Sequence, residues 1–335
     1  MPAPMGGRGV GVVGLGTALP DRIVTNHDFA ATLDTTDEWI VERSGIRERR
    51  IGGTTGELAT AAARAALADA GLDPSQIGML VLCTETPDAL MPATSATIAR
   101  DLGLTCGSID VNAACAGLAY GLVLAASLIT AGVERVLLVG ADTMASITDQ
   151  GDRATAVLFA DGAGALVLAA SDDPEDGPLG WEAGTDGTAH ALLTCPHGGT
   201  ITMDGRAVFM KAVRVVAESS RAALDHAKLT PADVDLFVPH QANLRIIQSA
   251  GDRLGIPSDR FALAVATTGN TSAASIALAL DAARADGRLH TGALVLASGF
   301  GAGMTWASVA WRWRWLEPGA AAAAEAAAAS AVAAS

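Results

Sequence analysis

The sequence predicts an α/β protein built as two stacked halves with an overall α-β-α-β-α layering, and three observations carry that prediction. Short apolar strands alternate with longer helical stretches, the pattern of a parallel sheet covered on both faces. The order of elements in residues 205–311 repeats that of the first half. Half of the 335 residues are hydrophobic, yet only 4% are aromatic, and 37 glycines accompany abundant alanine. Such a composition fills a sizeable core and lets helices pack closely on a sheet through small side chains.

Residues 10–16 are β-branched and glycine-punctuated and read as a strand. Gly14-Leu-Gly-Thr-Ala-Leu-Pro lacks the third glycine of a dinucleotide loop and runs into a proline, so no nucleotide site is assigned there. Residues 26–33 and 36–43 read as two short helices. The second is capped by Thr35 or Thr36 and carries Asp37 and Glu38 in its first turn, where acidic groups suit the helix dipole. Trp39 and Arg43 are four residues apart and share a helix face, which by itself describes a surface Trp–Arg stack. Residues 57–71 form an alanine-rich amphipathic helix ending at a glycine, residues 79–83 a buried strand, and residues 92–102 a helix with proline in its first turn. A short strand then leads to Cys115, a long apolar helix runs to about residue 131, and residues 135–140 are the next strand. Residues 156–159 and 165–168 read as a hairpin around Ala-Asp161-Gly-Ala-Gly, with Asp161 as a turn former.

Ser171-Asp-Asp-Pro-Glu-Asp-Gly-Pro is the most linker-like internal stretch, so the domain boundary is placed between 1–172 and 173–317. The second half reads as a helix over 205–227, a strand over 234–238, a helix over 244–254, a strand over 261–266, a helix over 272–285, and a terminal pair over 294–298 and 305–311. Ala-Asp-Gly-Ala-Gly of the first half and Gly-Phe-Gly-Ala-Gly of the second occupy similar places between strands. Two such halves bring both sets of strand ends to one central cleft. Residues 318–335 are almost all alanine with one Glu325, high in helix propensity but without an amphipathic face, and read as a frayed or disordered end.

The formal net charge is −14 and the isoelectric point is near 4.7. A nucleic-acid partner needs phosphate-neutralising Lys and Arg along one face, and no such run exists, so nucleic acid is excluded as a partner. Cysteines 83, 106, 115 and 195 show neither CxxC nor metal-ligand spacing and read as reduced thiols, with no metal site. The first nine residues lack an apolar signal core, and no apolar run lasts 18 residues. No membrane association is therefore expected, and the expected location is cytoplasmic. His27, His190, His197, His226 and His290 have no ligand-like spacing and read as surface or loop residues.

Cys115 falls at the small-residue turn between a strand and a buried helix. Unpaired backbone N–H groups and the positive end of the helix dipole favour a thiolate there, a nucleophile's position. From this segment alone, a small apolar core residue is the alternative. His240 ends an apolar run in Val-Pro-His-Gln-Ala-Asn at 238–243. Asn270 follows a glycine in Thr-Thr-Gly-Asn-Thr-Ser-Ala-Ala-Ser at 267–275. Separately these are a loop histidine and a turn asparagine; together they allow Cys, His and Asn to converge.

Val111-Asn-Ala-Ala-Cys115-Ala-Gly, Pro239-His240-Gln-Ala-Asn-Leu-Arg245-Ile and Gly269-Asn270-Thr-Ser-Ala-Ala-Ser275 resemble the three active-site signatures of β-ketoacyl-acyl-carrier-protein synthase III, the thiolase-fold condensing enzyme that starts bacterial fatty-acid synthesis. Asp34-Thr-Thr-Asp-Glu-Trp39-Ile-Val-Glu-Arg43, Phe159-Ala-Asp-Gly-Ala-Gly164 and Gly299-Phe-Gly-Ala-Gly303-Met-Thr-Trp306 resemble further family segments, in the family's order, over roughly residues 9–312.

The resemblance implies a thiolase-like fold and a homodimer. It implies that acyl-coenzyme A acylates Cys115 and that a carbanion from malonyl-acyl-carrier-protein attacks the resulting thioester. The amides of Cys115 and Ala302 are then the oxyanion donors, Ala302 standing where many relatives carry glycine. His240 and Asn270 are neutral donors to the enolate. Trp39, Arg43 and Arg153 belong to the coenzyme A site, where the indole and a guanidinium bracket the adenine. Coenzyme A enters as a substrate thioester, so no resident cofactor is expected.

The same resemblance assigns carrier docking to Arg245, with Arg253 and Lys211. Two positions basic in the best-known pattern hold Asp252 and Arg253 here, and Lys211, Arg214 and Arg206 are available to compensate. An acidic carrier requires such a local positive patch on this negative body. Met91 stands where a dimeric relative's acyl pocket receives a phenylalanine from its neighbour, and its flexibility suits branched or longer primers. Three other readings stay open. They are a condensing or acyl-transferring enzyme of polyketide or specialised metabolism, a cysteine hydrolase or thioesterase whose Asn orients the His, and a non-catalytic partner in a complex.

Overall fold

The computed structural model describes residues 8–317; the alanine-rich stretch 318–335 lies outside the described residues. In spatial order the first sheet contains strands Gly9–Ala18, Asp161–Ser171, Arg135–Thr143, Met79–Cys83 and Gly107–Val111. Its first two pairings are antiparallel and its last two parallel. The second sheet contains Leu236–Pro239, Leu294–Gly301, Thr305–Arg312 and Gly177–Thr185, with one parallel and two antiparallel pairings. Both sheets are thus mixed, whereas the strand–helix alternation predicts a parallel one. In each half the last two strands form an antiparallel pair with no long crossover helix between them, only the four-residue helix Arg153–Ala156 and a 3-10 turn in the first half and a 3-10 turn in the second.

Helices Gly117–Thr130 and Ser275–Ala285 lie between the sheets. Leu118, Leu122 and Ile129 of the first pack in one core with Ile276 and Leu280 of the second, with Val136 and Leu138 of one sheet and Val295 and Val309 of the other. Burying each such side chain is worth about 1.5–3 kcal/mol, so these two helices are committed to the centre. Helix Thr55–Asp69 covers the outer face of the first sheet, and Gly205–His226 with Leu244–Leu254 covers that of the second. The layering is α-β-α-β-α. Gly14 and Gly16 serve the packing of the outer helix. A Cβ on either would lie 2.2 or 2.3 Å from Ala66 backbone atoms, so their glycines allow close approach rather than a nucleotide loop.

Several local expectations change. Residues 156–159 are not a strand: Asp152 accepts from Ala154 N–H at 2.9 Å and caps a short helix over Arg153–Ala156. Asp161 is not a turn former. It begins a long strand, is buried, and accepts from Gly52 and Ala145 N–H, each at 2.8 Å, joining two loops to the sheet. The glycine-rich segments therefore differ in place, one opening a return strand and the other closing an outgoing strand, Leu294–Gly301.

Residues 261–266 keep one bridge, between Phe237 and Phe261, and Val265 already opens the short helix Val265–Thr268. The Gln241 side chain takes the backbone groups a neighbouring strand would use: Nε2 donates to the carbonyls of Pro239 and Ala262, and Oε1 accepts from Ala264 and Val265 N–H. The helix expected from residue 92 begins at Thr94, and Thr36 rather than Thr35 caps Asp37–Ser44 by accepting from Trp39 N–H. The chain passes from the first sheet to the second between Ser171 and Gly177. Among the described residues no helix is long and apolar enough to cross a membrane.

Candidate active site

Cys115 sits in a single 3-10 turn, Ala114–Ala116, that leads into the central helix. Asn112 Oδ1 accepts from Ala114 N–H at 3.1 Å and holds Ala114 at φ 47°, a left-handed conformation that alanine adopts at a cost of roughly 1–2 kcal/mol. The turn thereby points the thiol across the sheet ends, although it remains almost fully buried. The amide of Cys115 has no acceptor among the described residues. A Cβ on Gly301 would lie 2.6 Å from that nitrogen, so only glycine leaves the space open. Ala302, the second expected oxyanion donor, follows directly in the 3-10 turn Ala302–Met304.

One expectation about the thiol is corrected. Its pKa lies well above the ordinary value, first because burial penalises the anion and second because the Glu85 carboxyl stands beside it. Cys115 Sγ donates to Glu85 Oε1 at 3.5 Å. The intervening 3-10 turn, the burial of the thiol and the neighbouring carboxyl outweigh the dipole argument, and the resting residue is a thiol.

His240 follows strand Leu236–Pro239, whose parallel pairing continues as His240 N–H donates to Ser298 C=O at 2.7 Å. The ring packs edge-on against Phe300 and is buried. Burial lowers its pKa to about 3, so it is neutral. Ser275 Oγ lies 2.6 Å from Nδ1 and accepts from Gln241 N–H. A hydroxyl hydrogen donated to Nδ1 puts the ring proton of the neutral imidazole on Nε2, which is then a donor.

Asn270 is held on both sides, its N–H donating to Leu158 C=O and its C=O accepting from Ala160 N–H. Its Oδ1 accepts from Ser272 N–H at 3.0 Å, which orients the amide and leaves Nδ2 as a donor. The histidine's partner is thus Ser275 and not Asn270, the opposite of a hydrolase triad in which Asn orients His. Ser272, Ser275 and Glu85 escaped the sequence reading. The signal for Glu85 is a charged residue two positions after the end of a buried parallel strand, where α/β proteins place their sites.

Cys115, His240, Asn270 and Gly301 line one cavity of about 570 Å³ that opens past Trp39, Arg43, Arg206 and Arg245. Arg43 and Arg153 both lie over the Trp39 ring, at 5.8 and 4.8 Å from its centroid, and Arg153 also donates to Asp34 C=O. Arg245 stacks on Phe209 at the mouth. Arg253 lies eight residues further along the same helix, Leu244–Leu254, about 12 Å from Arg245. Lys211 does not join this patch. It is ion-paired with Asp186 in a separate polar pocket that also holds Arg214. Its charge is neutralised there, and of the compensating residues only Arg206 reaches the mouth. Met91 is 84% exposed and lines no part of the cavity around Cys115. Among the described residues no group of His, Cys, Asp or Glu is arranged to hold a metal.

The duplicated core with its two central helices is the thiolase fold, in its acyl-transferring, condensing class. Residues 109–187 match the model of the 3-oxoacyl-[acyl-carrier-protein] synthase III family and residues 224–313 that of its C-terminal part. A relative from Ruegeria pomeroyi, beta-ketoacyl-[acyl-carrier-protein] synthase III, is 47% identical over 92% of this chain and 100% of its own length. The crystal structure of 3-oxoacyl-(acyl carrier protein) synthase III from Pseudomonas aeruginosa PAO1 has a TM-score of 0.89 and 43% identity, covering 92% of this chain and 99% of that one. The priming beta-ketosynthase of the R1128 polyketide pathway has a TM-score of 0.86 and 40% identity, covering 92% and 97%. The chain belongs to the β-ketoacyl-acyl-carrier-protein synthase III family.

Proposed function

We propose that this protein is the initiating condensing enzyme of type II fatty-acid synthesis, acylated on Cys115 by an acyl-coenzyme A and condensing that acyl group with malonyl-acyl-carrier-protein. The observation that carries the reading is a set of uncommitted donors, the Cys115 amide, His240 Nε2–H and Asn270 Nδ2, around one cavity. In acylation, Sγ attacks the thioester carbonyl, and the amides of Cys115 and Ala302 receive the oxyanion before coenzyme A leaves. In condensation, His240 and Asn270 donate to the malonyl thioester oxygen. Charge accumulates there as the carboxylate leaves as carbon dioxide, so these donors act on the transition state. The enolate carbon attacks the acyl carbonyl, releasing Cys115 and 3-ketoacyl-carrier-protein. A neutral histidine suits this role, since it donates without needing to be protonated.

Trp39, Arg43 and Arg153 form the nucleotide end of the thioester site, Arg153 leaving the indole face to admit the adenine. Arg245, Arg253 and Arg206 form the carrier's landing site. A homodimer accounts for Leu90 and Met91, 82% and 84% exposed, and for the free edge of Gly107–Val111 with Ile109 41% exposed. Met91 reaches an acyl pocket only in a second copy. Light scattering should then give twice the chain mass of 33.7 kDa; a monomer at micromolar concentration would remove Met91 from the pocket.

Intact-mass analysis after incubation with a panel of acyl-coenzyme A thioesters, followed by addition of malonyl-carrier-protein, tests the reading. Acetyl transfer to Cys115 and 3-ketoacyl product are expected, and release of free acid alone would overturn condensation. The 40% identity to a priming polyketide ketosynthase supports a second reading, starter condensation in a specialised pathway. Preference for longer or branched primers would favour it.

A further inference from the structure

Neither half-reaction uses Glu85, although it touches the nucleophile. It stands in Thr84-Glu85-Thr86, directly after strand Met79–Cys83, and its half-buried side chain lies against the cysteine turn. Two hydrogen bonds converge on Oε1, one from Cys115 Sγ at 3.5 Å and one from Ser272 Oγ. The backbone behind it is fixed, since Glu85 and Thr86 N–H both donate to Asp142 Oδ1, at 2.8 and 3.1 Å. A carboxylate anchored in this way is a preorganised acceptor for the thiol proton.

We infer that Glu85 is a further catalytic residue, the base that takes the Sγ proton of Cys115 as the acyl group arrives. The inference rests on Cys115 being the acylated residue. As the Sγ–C bond forms, the proton passes from Sγ to Glu85 Oε1. As the C–S bond to coenzyme A breaks, the same proton passes to the departing sulfur. Coenzyme A leaves as a thiol and Glu85 returns to the carboxylate, so neither proton nor electron is left over.

Two features select Glu85 over His240. Nδ1 of His240 is engaged by Ser275, and burial holds its pKa near 3, far too low for a base at neutral pH. The carboxyl is pushed up to about 7, chiefly by burial and then by Asp142, against the bonds from Ser272 and Cys115. The titratable groups facing it are Cys115 in the turn, Asp142 at the end of Arg135–Thr143, and Cys195, whose thiol its charge also raises. On its other side Glu85 lines a second, separate cavity together with His190 and His197. Since the Cys115 thiol lies well above its ordinary pKa, free thiolate is scarce and the proton must leave in concert with attack.

Single-turnover acylation by acetyl-coenzyme A, followed by rapid quenching and intact mass between pH 5.5 and 9, tests this on the full chain. The wild-type rate constant should rise through a midpoint near pH 7. Glu85→Gln keeps the Ser272 contact but should lose about 100-fold in that rate constant at pH 7.5, and with it the midpoint. Half-saturation by the thioester should not change. Glu85→Gln acylating as fast as wild type, or faster, would overturn the inference. A wild-type rate that does not rise through pH 7 would also overturn it, whether or not the variant folds. An acetyl mass shift retained in Cys115→Ala would instead show that the nucleophile was misassigned.

Discussion

The turns before the two central helices are built alike and used differently. Asn112 and Asn270 each accept, through Oδ1, the N–H two residues on, at 3.1 and 3.0 Å. Ala114 and Ser272 have φ of 47° and 48°, and each opens a single 3-10 turn that leads into a buried helix. The next amide separates them. Ala273 N–H donates to Asp142 Oδ2 at 3.0 Å, whereas Cys115 N–H faces Gly301 and has no acceptor among the described residues. The strand end of the first sheet supplies a carboxylate to one turn, and the strand end of the second supplies empty space to the other. The turn alone therefore makes no oxyanion site. The residue across from it decides whether the amide stabilises the fold or waits for developing charge.

The sharpest way to break this comparison is Gly301→Ala. The added carbon fills the space before the Cys115 amide, and acylation by acetyl-coenzyme A should fall about 10²–10³-fold, the loss typical of one oxyanion donor. Gly140→Ala is its counterpart, with a Cβ 2.5 Å from Ala273 C=O. There the effect should be on stability, about 1–3 kcal/mol in urea unfolding. A Gly301→Ala protein acylating at the wild-type rate would show that the open amide is not used.

The asparagines provide a second contrast. Asn270→Ala removes a turn bond and the Nδ2 donor, so malonyl decarboxylation should fall about 100-fold while acylation of Cys115 changes far less. Asn112→Ala removes a turn bond only and should cost about 1 kcal/mol of stability. Equal losses of decarboxylation in both variants would erase the functional difference between the turns.

The smallest effect concerns Glu85, which lies against both turns. Its folded pKa of about 7 exceeds the ordinary 4.5. The stability it contributes is therefore present below pH 4.5 and is lost as pH rises through 7, where the folded state must hold a buried charge. Glu85→Gln removes that charge, so its Tm should exceed that of wild type by about 3–10 °C at pH 8.5 and approach it near pH 5. Calorimetry showing the reverse order would contradict the burial of an ionisable carboxyl there.

Much of this architecture was legible in the chain. Cys115, His240 and Asn270 lie in local motifs at the ends of apolar runs, and the helices follow from capping threonines and periodic alanine and leucine. The misread strands had apolar patterns whose backbone groups were taken elsewhere. Asp152 turned 153–156 into a helix, and the Gln241 side chain occupied the ladder positions of 261–266. The pairing that withdraws Lys211 from the docking patch has no local signal, because its partner Asp186 lies 25 residues earlier in the chain.

By itself, the sequence determined the duplicated order of elements, the small-residue packing and the three motif residues, because each depends on neighbours within a few turns of chain. Tertiary structure alone decided that Ser275 rather than Asn270 holds His240, that the Cys115 amide stays open, and that Glu85 meets the thiol. Those outcomes depend on contacts between residues 30 to 187 apart and on burial that shifts proton affinities. Neither distance across the cleft nor exclusion of water has a signature in local order along a chain.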